Sequence, residues 1–200
     1  VEHPRFGQVI PCPVCVEGRR AAIDWFRDIT TPTEQYARAV NLAKQMAQTP
    51  SGWLVLQGGV GAGKTTIAKA ILSHWRGRET HPETTAEWLG YWRSRVTEEA
   101  FEVAFMGRWE ATTAVLDDIG RERLTEWGVE RLGTFLNYRY ARRLPTVLTT
   151  NCNEHTLSSH AGEAIADRVF DRHAGLVRVV TLDVNSFRTN EPSEPLPHLI

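Results

Sequence analysis

The chain has 200 residues, with 23 Lys+Arg against 24 Asp+Glu, a formal net charge of −1, and 42% hydrophobic and 24% charged residues. That composition builds a core, so it disfavours a disordered chain, a collagen-like repeat and a disulfide-stapled miniature; the near-zero charge argues against coating nucleic acid by bulk electrostatics alone. No apolar run approaches the ~18 to 20 residues of a membrane span, and the three cysteines, Cys12, Cys15 and Cys152, are too few and odd for a secreted disulfide framework. The expectation is one sizeable domain in the cytoplasm, away from membranes. The chain opens on Val1 rather than Met, so the lack of a charged-then-apolar leader weighs little.

Residues 1–32, with Pro4, Pro11 and Pro13, show no sustained period and read as an irregular arm. Tyr36, Val40, Ala43 and Met46 recur at helical spacing behind a Thr33 cap, which predicts a helix from Thr33 to Gln48. Trp53 to Gln57 reads as a buried strand entering Gly58-Gly59, and Lys64 to Trp75 as the helix after that glycine loop. Gly77 to Thr85 is polar and loop-like. Ala86 to Met106 suggests one or two helices, and Thr112 to Leu116 a second buried strand ending on Asp117-Asp118. Trp127 to Arg143 looks helical, Pro145 to Thr149 is a third strand, Gly162 to Arg172 a helix, and Leu176 to Leu182 a last strand. Residues 189–200, with three prolines, form a disordered or draped tail. Strands alternating with helices predict a three-layer α/β fold with a mainly parallel central sheet.

Gly58-Gly59-Val60-Gly61-Ala62-Gly63-Lys64-Thr65 is a full match to the phosphate-binding loop. Glycines let the backbone turn its N–H groups inward, where they join the positive end of the next helix in a cradle for polyphosphate. Lys64 reaches the β- and γ-phosphates, the Thr65 hydroxyl is a ligand for Mg²⁺, and Thr66 closes the binding segment. Val115-Leu116-Asp117-Asp118 delivers two acids to the carboxyl end of a strand, where open parallel sheets bind ligands. Asp117 holds Mg²⁺ through its water shell and Asp118 polarises the attacking water. Asn151, at the tip of a neighbouring strand, is placed to orient that water.

These motifs, with Asn137-Tyr-Arg-Tyr140, Leu144-Pro-Thr146, Thr149-Thr-Asn151, Asp167-Arg168 and the closing Ser186-Phe-Arg188, resemble the DnaC/IstB-like branch of the AAA+ ATPases over roughly Thr33 to Arg188. The resemblance implies an ASCE-type P-loop NTPase core over 33–188, with the C-terminal helical lid absent or vestigial. It implies an ATPase acting on Mg-ATP, assembled as a homo-oligomer through the nucleotide, and loading or remodelling a replicative helicase on single-stranded DNA. Asn151 matches the sensor-1 residue. Arg168 matches the arginine finger that acts on a neighbour's ATP, with Arg172 and Arg188 as lesser candidates. The helicase-docking domain of full loaders is expected to be cut off, absent or replaced by the short arm.

Two alternatives stay open: an IstB-like helper of a transposase, and a small-molecule or nucleotide kinase built on the same loop. Candidate DNA contacts are Arg93, Arg95, Arg139, Arg142 and Arg143, with Trp92, Tyr138 and Tyr140 for stacking. Cys12-x-x-Cys15 reads either as half of a structural zinc site, with His3 the one further candidate ligand nearby, or as a pair that holds no metal.

Overall fold

The computed structural model describes residues 24–97, 111–171 and 175–187. The chain runs α1 (Glu34–Gln48), β1 (Trp53–Gly58), α2 (Lys64–Arg76), β2 (Glu83–Thr84), α3 (Thr85–Arg93), β3 (Ala114–Asp117), α4 (Glu126–Ala141), β4 (Thr146–Thr150), α5 (Glu154–Ala161), α6 (Glu163–Phe170) and β5 (Val177–Leu182). The sheet has the order β2-β3-β4-β1-β5, and every neighbouring pair is parallel. Among the described residues, no helix is long and apolar enough to cross a membrane.

The order follows from the burial pattern. β1 opens on four buried apolar residues and β4 is buried throughout, its Val147 and Leu148 flanked by buried threonines, as central parallel strands must be. β4 is inserted between β1 and β3, with Leu54 opposite Val147 and Leu116 opposite Leu148. On one face of the sheet, α1 and α2 bury Tyr36, Val40, Met46, Ile67 and Ile71 with Leu54 and Leu56. On the other, α3, α4, α5 and α6 bury Trp88, Trp92, Leu132, Leu136, Leu157 and Val169 with Trp53, Val55 and Leu148. The helix starts are locally written: Thr33, Thr84, Thr125 and Asn153 each accept a backbone N–H with a side-chain oxygen. Thr84 and Glu87 complete a capping box.

Two short elements differ from the sequence reading. Glu83–Thr84 pairs with Leu116 and Asp117 as an edge strand within the expected polar loop. The helical region after β4 is two helices, broken at Gly162, and the first of them, Glu154–Ala161, shows only weak apolar periodicity. Residues 24–32, the end of the expected arm, turn so that Phe26 is buried against the α1 side of the core.

Several expectations lie outside the described residues: the Cys12–Cys15 zinc pair, any helix over 98–110, Arg172, Arg188, the lid and the tail.

Candidate nucleotide site and its acid platform

The loop between β1 and α2 is shaped by backbone that only glycine tolerates. Gly61 and Gly63 have φ of +79° and +81°, and a Cβ on either would stand 2.0 Å from Ser186 Oγ or 2.2 Å from the Tyr36 hydroxyl. The segment after β5 braces the loop: the Phe187 N–H donates to the Gly61 carbonyl at 3.0 Å, and the Phe187 ring packs edge-on against Tyr36 at 5.7 Å. The Ser-Phe pair, noted in the sequence only for its family resemblance, therefore has a physical task at the loop. Burial pushes the Tyr36 phenol above its ordinary pKa.

Lys64 is buried, and its Nζ donates to the carbonyls of Gly58 (3.0 Å) and Gly59 (2.7 Å). A buried ammonium seated at a glycine loop that opens a helix is suited to an anion. A cleft walled by Asp28, Ile29, Tyr36, Thr66 and Phe187 lies against the same loop and includes Lys64 and Thr65.

β3 and β4 bring the acids to this loop. The Thr65 hydroxyl donates to Asp117, with its oxygen 3.0 Å from Oδ2 and 3.2 Å from Oδ1. Asp117 is buried. Thr149, which sequence reasoning passed over, links the two acids: its hydroxyl donates to Asp117 Oδ1 at 2.5 Å and accepts the Asp118 N–H at 2.8 Å. Asp118 has φ of +59°, a left-handed turn that Asp accepts at modest cost. The turn is tied down beyond that point. Ile119 N–H donates to Thr149 O at 2.8 Å, Thr150 Oγ1 to Ile119 O at 2.7 Å and Cys152 Sγ to Gly120 O at 3.1 Å. Burial raises the Cys152 thiol pKa, so this sulfur is a structural donor.

Asn151 Nδ2 donates to Asp118 Oδ1 at 2.9 Å, so the structure brings the expected sensor to the expected water-polarising acid. Asp118 Oδ2 faces Arg121 Nη1 at 3.5 Å. Thr65 and Asp117 converge as a hydroxyl and a carboxylate suited to one magnesium ion that keeps most of its water. No cluster of three or more His, Cys, Asp or Glu side chains is placed for a metal among the described residues.

Arg168 stands apart from this constellation. It projects from α6 into a groove with Glu154, His155 and Glu163, contacts Asp167 at 3.4 Å and lies over the Tyr140 ring at 5.4 Å. The Tyr140 hydroxyl is hydrogen-bonded to Asp171, which raises its pKa, and its ring is edge-on to Trp53.

The proposed DNA contacts need correction. Arg139 is fully buried, with its guanidinium donating to Thr146 Oγ1, Ala111 O and Pro145 O at 2.9, 2.8 and 2.7 Å. Burial lowers its pKa to about 10. It staples the end of α4 to the entry of β4 and touches no solvent. Trp92 is core, and Tyr140 is engaged as above. Helical periodicity alone did not separate these from Arg93, Arg142 and Arg143, which are exposed. Arg142 covers the Tyr138 ring at 3.8 Å and Arg95 the Tyr91 ring at 4.1 Å.

The sequence matches no protein-family model and no curated protein. Solved structures are similar. A DnaC helicase loader aligns with a TM-score of 0.67 at 20% identity, over 82% of this chain and 98% of its own. DnaI aligns with a TM-score of 0.62 at 20% identity, over 78% and 88%. AMPPCP-bound DnaA from Aquifex aeolicus aligns with a TM-score of 0.62 at 16% identity, over 82% of this chain and 51% of its own. With its five-stranded parallel sheet flanked by helices, the chain shares the fold of the DnaC helicase loader and DnaI.

Proposed function

We propose that the protein is a DnaC-like ATPase that binds Mg-ATP and single-stranded DNA and acts on a partner protein, a replicative helicase. One observation carries this reading: Thr65, next to Lys64 at the loop, donates to Asp117, and Thr149 joins Asp117 to Asp118, whose carboxylate accepts from Asn151, so residues from three strand ends form one connected set of hydrogen bonds. The likeness to a helicase loader in fold supports the choice of client.

The residues divide the work. Backbone amides of Gly59 to Thr66 and Lys64 hold the polyphosphate, and Lys64 exchanges its loop carbonyls for phosphate oxygens. The cleft between Ile29, Tyr36 and Phe187 takes the base. Thr65 and Asp117 would hold magnesium, which would supply charge neutralisation on the polyphosphate. Asp118 accepts a proton from the attacking water while Asn151 orients it. Arg168 lies in a groove away from the loop and serves the ATP of an adjoining subunit, where an arginine supplied in trans is worth ~10³ to 10⁵ in rate. The lone subunit is therefore slow, and turnover rises with protein concentration and DNA.

Phosphate release measured against protein concentration tests this. Lys64→Ala abolishes turnover, whereas Arg168→Ala binds ATP normally and loses the concentration-dependent rise. Unchanged DNA-stimulated turnover in Arg168→Ala sinks the trans assignment. Pull-down with Asp118→Asn and ATP identifies the client, and a transposase in place of a ring helicase would replace the loader reading with the transposition-helper one. Transfer of phosphate to a metabolite would make the protein a kinase.

A further inference from the structure

The turn that leaves β3 is clamped to α5 by one residue. His160, in the last turn of that helix, is half-buried and works with both its side chain and its main chain. Its Nδ1 lies 2.7 Å from the Gly120 carbonyl oxygen, and its own carbonyl accepts the Leu124 N–H at 2.8 Å. A carbonyl oxygen accepts and never donates, so Nδ1 carries the proton. Gly120 and Leu124 bound the short stretch beyond Asp118, and His160 closes both of its ends against the helix.

The near end of that stretch is packed without slack. Gly120 is buried with φ of +80°, and a Cβ there would stand 2.5 Å from Leu157 Cδ1 and 3.1 Å from Cys152 Sγ. Asp118 is held from two sides. Upstream, Thr149 takes the Asp118 and Ile119 N–H groups. Downstream, the Gly120 carbonyl is held by the His160 ring at 2.7 Å and by the Cys152 thiol at 3.1 Å. A thiol is a weak donor, so the imidazole is the stronger of the two holds. The helix is thereby tied to the acid turn at each end: Asn151, just ahead of the Asn153 cap, reaches the Asp118 carboxylate, and His160 reaches Gly120.

We propose that His160 is a positioning residue for the ATPase reaction: through the Gly120 carbonyl it holds the Asp118 turn where the carboxylate meets Asn151. The inference rests on the ATPase reading above and deepens it, adding a residue that touches neither nucleotide nor reacting atom. Its effect is geometric. A displacement of about 1 Å at reacting groups costs up to ~10² in rate, whereas the phosphate loop, braced from Tyr36 and Phe187, has no printed tie to His160 and keeps its hold on the nucleotide.

The full chain is tested with a fluorescent ATP analogue, phosphate release and thermal unfolding. His160→Leu, which keeps bulk and removes the donor, should lower kcat about tenfold, inside the range a small misplacement costs, with KM and analogue affinity at wild-type values. His160→Asn puts an amide nitrogen where Nδ1 stands and should recover kcat to within about twofold. His160→Gln carries the same amide one methylene further out and should stay near the Leu variant. Cys152→Ala, which removes the weaker donor, should lose less turnover than His160→Leu. Wild-type kcat in His160→Leu overturns the proposal, as does a loss that resides in KM and analogue affinity. Should the Leu variant fail to fold, the amide pair decides: equal kcat in His160→Asn and His160→Gln at wild-type unfolding temperature overturns the assignment, and recovery by Asn alone supports it. If the wild type neither binds the analogue nor releases phosphate, the ATPase reading itself has failed, a result distinct from any of these.

Discussion

The phosphate loop and the acid platform face each other across the site, but they are built in different ways. Gly58 to Thr65 is eight consecutive residues whose conformation follows from glycine φ angles and the start of α2. The platform gathers Asp117 and Asp118 from the end of β3, Thr149 and Asn151 from the end of β4, and Arg121 from the next turn. A contiguous motif survives as long as its own backbone survives. A platform spread over 30 or so positions depends on strand order and on single hydroxyls that carry two bonds each, so it is the more fragile half and the more adjustable one.

Substitutions sharpen that contrast. The largest effect should come from Asp118→Asn, which removes the base and leaves the loop alone: turnover falls by ~10² to 10⁴, while titration with an ATP analogue gives wild-type affinity. Loss of binding along with turnover would show that the two halves are not separable. Thr149→Val keeps the shape and deletes the bridging hydroxyl, leaving the Asp118 N–H without an acceptor at a cost of about 1 to 3 kcal/mol. Thermal unfolding should record that loss, and Thr149→Ser should restore both stability and turnover.

A comparable loss of stability, again about 1 to 3 kcal/mol, is expected for Arg139→Met, which leaves the carbonyls of Ala111 and Pro145 without their donor. Its folded fraction should bind oligo(dT) as the wild type does. Weakened DNA binding at unchanged fold would reinstate Arg139 as a contact. The smallest effect concerns Tyr36. Burial raises its pKa in the folded state from an ordinary value of 10.0. The neutral phenol's contribution is thus complete below pH about 10 and disappears as pH climbs through the raised value. Tyr36→Phe should make the alkaline fall of stability in denaturant titrations shallower and leave neutral pH almost unaffected.

How much was legible in advance follows the same division. The phosphate loop, the helix caps and the central strands were read because their signals are local: glycine spacing, a Thr ahead of an apolar stripe, short apolar runs. Asp118 and Asn151 were picked out singly, but nothing local says that they touch. Thr149 was noted only as part of the Thr149-Thr-Asn151 segment and given no role, because one of several threonines in a buried strand carries no pattern of its own. Arg139 was misread for the converse reason. Arginine on an amphipathic helix is normally solvated, and its burial follows from three oxygens supplied by Ala111, Pro145 and Thr146, two of them at the entry of β4.

The amino-acid order alone determined a parallel α/β chain and the glycine loop between β1 and α2, since both rest on backbone freedom and apolar periodicity within a few residues. Tertiary structure decided which polar groups meet. The insertion of β4 between β1 and β3 is what sets Thr149 beside Asp117 and Asn151 beside Asp118. Packing α5 against the turn after β3 is what puts His160 on the Gly120 carbonyl. A hydrogen bond requires a partner within about 3 Å, and for residues 30 or more positions apart only the packed core provides it.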